Sequence, residues 1–154
     1  GPFLVLEDDF LIHKRACERF VSHLACMNQA TAAGGIFLPG YTIWHKHYWP
    51  RDKSLACIDA TEKTGGTFSM IYSRQAALRA LKFFEVTNFT RPIDHMYDFV
   101  IQMGSPVQMA SPVIFAADVG HKSLTKEGEK SKFSVRERHS LHRWGPRRDF
   151  YFRI

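Results

Sequence analysis

The sequence predicts an α/β fold, a mixed β-sheet flanked by helices. Short apolar segments bounded by turn residues mark strands, longer amphipathic stretches mark helices, and the two kinds alternate along the chain. Alternation of this kind gives a layered sheet, because each helix must bury its apolar stripe against the strands beside it in sequence.

Phe3 to Leu6 is apolar throughout and reads as a short buried strand. It runs into Glu7, Asp8 and Asp9. Three consecutive acids can be a turn, since Asp accepts local backbone hydrogen bonds. They can also clamp a divalent cation at a strand's carboxyl end, where α/β folds place ligands. Ile12, Ala16, Phe20, Leu24 and Met27 then recur at helical spacing opposite Lys14, Arg15, Glu18 and Arg19, which predicts a helix over about 11–29. Gly34-Gly35 punctuates it.

"IFLPGYTIW" predicts a strand broken at Pro39-Gly40, and "HKHYWPRDK" an irregular aromatic, basic loop. In "GGTFSMIYS", Phe68, Met70 and Tyr72 alternate with Thr67, Ser69 and Ile71, the period of a strand. Ser73 is a candidate N-cap for a helix with Ala77, Leu78, Leu81 and Phe84 on its apolar side. Pro92 suits the first turn of another, with Ile93, Met96, Tyr97, Val100 and Ile101 inward. "PVIFAAD" predicts a last buried strand entered at Pro112 and left through Asp118, with a polar, mobile stretch beyond it.

A chain of 154 residues suffices for one compact domain with a real core. Its 45% hydrophobic and 23% charged residues argue against a disordered or fibrous chain. No apolar run approaches the roughly 20 residues that cross a bilayer, and no signal peptide opens the sequence. Gly1-Pro2 looks like a protease-cleavage scar, which leaves bacterial cytoplasm and an ER or Golgi lumen both open.

The net charge of +6 is concentrated late: between Arg136 and Arg153 six Arg face only Glu137 and Asp149. The expected division is therefore a domain over 1–130 and a basic aromatic tail over 131–154. With Trp144, Phe150, Tyr151 and Phe152 the tail reads as a solvated segment packing through a few aromatics. Nucleic acid or an acidic partner is the other reading. Cys17, Cys26 and Cys57 form no CxxC pair, which argues against a zinc site. Cys17 and Cys26, nine positions apart on one helix, cannot bond each other. One disulfide to Cys57 stands open, with buried free thiols preferred.

Taken in order, "LVLEDDF", "GGTFSMIYSRQAALRAL", "RPIDHMYDFV" and "SPVIFAADVGHKSL" resemble glycosyltransferase family 25, which includes lipooligosaccharide and collagen galactosyltransferases. The resemblance spans most of residues 3–124. It implies a GT-A-like mixed sheet, a UDP-sugar donor (UDP-galactose being common), Mn²⁺ or Mg²⁺, and inversion at the anomeric carbon. The acceptor would be a hydroxyl on a glycan or a hydroxylated protein. The matching portion begins at the Glu-Asp-Asp strand, so the nucleotide-binding strands are expected upstream or from a partner chain.

The chemistry needs a cation because the leaving diphosphate concentrates negative charge, and hard oxygen ligands suit Mn²⁺ or Mg²⁺. Asp9, with Asp8 or Glu7, are the candidate ligands. Strand alternation prevents all three from facing one ion unless the chain turns there. His121 can return as an imidazole ligand or stand as a solvated loop histidine, and Lys122 can neutralise diphosphate charge.

Inverting transfer also needs a base for the acceptor hydroxyl. Asp94, beside His95, matches the family's Asp-His element; a carboxylate favoured by a helix start is the other account. Gly65 and Gly66 would let the backbone approach the sugar, or form a turn. Trp44, Tyr48 and Trp49, among His45 and His47, can stack on a sugar ring or fold onto the core. The alternative to catalysis is an inactive glycosyltransferase-like subunit of a larger assembly, held there by its basic tail and taking RNA as a possible component.

Overall fold

A computed structural model describes residues 1–7, 10–43, 56–60, 64–66, 69–88, 90, 96–117 and 150–151. Along these residues run β1 (Phe3–Leu6), β2 (Phe10–His13), α1 (Ala16–Ala32), β3 (Ile36–Leu38), β4 (Thr42–Ile43), β5 (Ala56–Asp59) and β6 (Thr64–Gly65). They are followed by β7 (Ser69–Tyr72), α2 (Arg74–Thr87), α3 (Met96–Gln102), β8 (Val107–Ser111), β9 (Phe115–Ala117) and β10 (Phe150–Tyr151).

The fold is mixed α/β. Its main sheet has the order β1-β7-β3-β8-β5, with β3 and β8 parallel and every other neighbouring pair antiparallel. β3 and β7 are buried at every position, as their apolar character requires of strands covered on both faces. α1 lies over one face, where Phe37, Ile71, Ala110, Ile114 and Phe115 meet Phe20, Met27 and Ala30. α2 and α3 cover the other, where Ile36, Leu38, Met70, Tyr72 and Met109 meet Ala76, Ala80, Phe83, Met96 and Val100. Two smaller ribbons, β10-β2-β9 and β4-β6, complete the described topology.

α1 begins later than the periodicity predicts. Residues Leu11 to His13, expected within the helix, belong to β2, which pairs antiparallel with β9. Tertiary pairing outweighs a weak local helical pattern there. The expected stripe also drifts: three steps of four residues from Ile12 to Leu24 rotate about 120° around an α-helix. Leu24 is accordingly 47% exposed, and the inward face runs through Ala16, Phe20, His23, Met27 and Ala30. Gly34-Gly35 ends the helix as expected, Gly34 at φ +77°. A Cβ on Gly35 would run into the Pro106 carbonyl, so only glycine fits the turn into β3.

Ser73 caps α2 as predicted, its Oγ accepting the Ala76 N–H at 3.0 Å. Asn88, left-handed at φ 47°, closes the other end. The expected apolar side is rotated, however. Ala76, Ala80 and Phe83 are buried, Ala77 and Phe84 half-buried, and Leu78 and Leu81 are 57% and 59% exposed. Two alanines in the inner stripe bring the helix close to the sheet, which leaves the leucines outside. In α3, Met96 and Val100 are buried as expected while Ile101 is exposed. Pro92, Ile93 and the Tyr97 side chain lie outside the described residues.

The last expected strand, entered at Pro112, is shorter than predicted and forms β9 over Phe115–Ala117. Val107–Ser111 before it forms β8, which the sequence pattern missed, and the Ser111–Pro112 peptide between them is cis. Proline has no N–H for a ladder, so the chain leaves the sheet there. β5 was also unforeseen, a short edge strand without a clear alternating pattern. Of the tail, Phe150 and Tyr151 pair with His13 and Ile12.

The cysteines differ from the preferred reading of buried thiols. Cys26 in α1 is bonded to Cys57 in β5, and Cys17 is free and exposed. A crosslink closing a 31-residue separation stabilises by about 3–4 kcal/mol in the chain-entropy account. No helix among the described residues is long and apolar enough to cross a membrane.

Candidate functional site

The strand directions define one edge of the sheet. β1 and β3 are both antiparallel to β7, and β8 is parallel to β3, so β1, β3 and β8 end on the same side. Open α/β sheets place ligands beyond the carboxyl ends of such strands. Three excursions leave this edge: Glu7 after β1, the Pro39-Gly40-Tyr41 turn after β3, and Pro112 after β8. β7 begins there too, preceded by the β6 segment that carries Gly65 and Gly66.

Local bonds tie the edge together. The Ser69 hydroxyl at the start of β7 donates to the Gly40 carbonyl at 3.3 Å. Thr42 pairs with Gly65 and Ile43 with Thr64, which fixes the β4-β6 ribbon. Gly66 sits at φ +86°, a conformation open to glycine at little cost. Gly65, in β6, is buried and Gly66 after it is half-buried.

Glu7 is exposed at the mouth of this edge. It acts on Tyr72, whose hydroxyl lies 3.1 Å from Met70 Sδ and 3.5 Å from Met96 Sδ and can donate to one of them at a time. Burial first, and then the Glu7 carboxylate, hold the Tyr72 hydroxyl well above the usual phenol range, because both disfavour a phenolate. Tyr72 thus links β7 to Met96, the first residue of α3, two positions after Asp94 in sequence. Alternation placed Met70 and Tyr72 on one face; their contact with α3 was not legible.

Of the expected site residues, Glu7, Gly65 and Gly66 come to this one edge. Asp8, Asp9, Asp94, His121 and Lys122 lie outside the described residues, as do Trp44, His45, His47, Tyr48 and Trp49. Among the described residues no group of three His, Cys, Asp or Glu side chains could hold a metal ion. Glu7 offers hard carboxylate oxygens of the kind Mn²⁺ or Mg²⁺ takes, at a strand end, and the next two residues in sequence are of the same chemical kind.

A concavity of 490 Å³ lies between α2 and α3, lined by Phe83, Val86, Thr87, Asp98, Phe99 and Gln102 among others. It contains none of the expected site residues. Comparison with known proteins gives no match to any family model, to any curated protein or to any solved structure.

Proposed function

We propose that the chain is the catalytic portion of a GT-A-type, metal-dependent inverting glycosyltransferase resembling family 25. It would move a hexose, galactose first among the candidates, from a UDP-sugar to a hydroxyl acceptor on a glycan or hydroxylated protein. The observation that carries this reading is the shared edge: β1, β3 and β8 all end there, Glu7 follows β1, and the segment carrying Gly65 and Gly66 precedes β7, which begins there.

Asp9, with Asp8 or Glu7, and His121 would hold Mn²⁺ or Mg²⁺, which when bound neutralises diphosphate charge. Lys122 adds a positive charge for the same oxygens. Gly66, half-buried and without a Cβ, would let the backbone approach a sugar beside the buried Gly65. Asp94 takes the proton of the attacking acceptor hydroxyl. The non-catalytic assembly reading draws less support, because Phe150 and Tyr151 of the basic tail pair with β2 of their own chain.

Titration calorimetry of the full chain with UDP tests the proposal. UDP binding is expected with Mn²⁺, lost on chelation, and weakened at least tenfold by Asp9→Ala. Failure of UDP to bind in any metal, with the upstream nucleotide-binding half restored, would discard the catalytic reading.

A further inference from the structure

Cys26–Cys57 joins two elements that differ in how firmly they are held. α1 is docked without the bond. Arg19 donates to the Val113 carbonyl, the His23 ring lies 3.1 Å from the Ser111 carbonyl, and Phe20, Met27 and Ala30 pack on the sheet. β5 has less to hold it. Among the described residues it is an edge strand paired along one side only, with β8. Ile58 and Ala60 reach the α2–α3 core, and on the α1 face Cys57 is its one member of the cluster. Cys26 and Cys57 are both half-buried rather than sealed in the core.

We propose that the Cys26–Cys57 disulfide is a redox latch on β5. Closed, it pins the edge strand to α1; opened, it releases β5 while α1 and the rest of the sheet stay in place. A dithiol reductant opens it by thiolate attack on one sulfur, through a mixed disulfide. Two electrons pass to Cys26 and Cys57, two protons complete their thiols, and the reductant leaves as its own disulfide. β6 begins five residues after the end of β5, so the released strand also loosens the ribbon carrying Gly65. Only the reading of this loosening as weaker donor binding rests on the function proposed above.

The test uses the full chain before and after dithiothreitol. Maleimide labelling under denaturing conditions should count one thiol, Cys17, before reduction and three after. Backbone NMR order parameters over Cys57 to Ala60 should fall from about 0.85 to below about 0.6 on reduction, while those over Phe20 to Ala30 stay near the rigid value. A Cys26→Ser/Cys57→Ser double variant should reproduce the reduced pattern and Cys17→Ser the oxidised one. Three thiols before reduction, an unmoved β5, or α1 loosening together with β5 would each overturn the latch. None of these readings depends on UDP, so a chain that binds no nucleotide can still possess it.

Discussion

α1 and the α2–α3 pair cover opposite faces of one sheet and are fastened to it by different means. The α2–α3 face is apolar: Ala76, Ala80, Phe83, Met96 and Val100 lie on Ile36, Leu38 and Met109, with the Tyr72 hydroxyl turned toward methionine sulfur. The α1 face carries directed links at positions 19, 23 and 26, which recur on one side of a helix. Arg19 and His23 reach backbone carbonyls and Cys26 is bonded covalently. Hydrophobic attraction has no direction, so it fixes burial before it fixes orientation. Links aimed at single atoms fix how far the helix is rotated and where along the sheet it stops.

The largest expected difference comes from emptying the apolar side. Phe83→Ala should cost about 3–5 kcal/mol, as buried aromatic truncations do, measured by urea unfolding. A much smaller loss would mean that the α2–α3 layer collapses to fill the space.

On the other face His23→Leu, close in volume, should cost about 1–3 kcal/mol by leaving a buried carbonyl oxygen without its donor. His23 Nδ1 lies 2.8 Å from the Arg19 carbonyl and Nε2 3.1 Å from that of Ser111. A neutral imidazole carries one N–H, so it serves one of the two at a time. No change in stability would show that the apolar contacts of α1 suffice to seat it.

The smallest effect concerns pH. The folded state holds the Tyr72 proton more tightly than the unfolded chain does, since burial and Glu7 raise its pKa. The folded state therefore binds more protons above the ordinary tyrosine pKa of about 10. This contribution is fully present below that pH and is lost as pH rises further, with a slope of up to about 1.4 kcal/mol per pH unit. Tyr72→Phe should flatten the alkaline fall seen in unfolding curves between about pH 9 and 11.5. An unchanged slope would assign the fall to other groups.

These contrasts separate what was legible from what was not. Elements signalled by a local device came through: the Ser73 cap, the glycine pair after α1 and the Pro39-Gly40 break all stand where expected. Which side of a helix faces inward did not, as Leu24, Leu78 and Leu81 demonstrate. Leucine spacing identifies a helix, but the partner surface selects the buried stripe, and alanines won in α2. The pairing of Cys26 rather than Cys17 with Cys57 also depended on rotation about α1. In the candidate site, Glu7, Gly65 and Gly66 were singled out from the sequence, whereas the end of β1 and the start of β7 share one edge only through the sheet's strand order.

By itself the sequence determined that the chain mixes strands with helices, where α2 is capped, where the chain turns after α1 and β3, and that carboxylates follow the first strand. Those are consequences of bonds and steric limits reaching only a few residues along the chain. The tertiary structure decided that Phe10–His13 is a strand, that β8 stands between β3 and β5, and that α1 is locked to β5 through sulfur. Each of these is a contact between distant segments, whose free energy exists only once the chain has closed the loop between them.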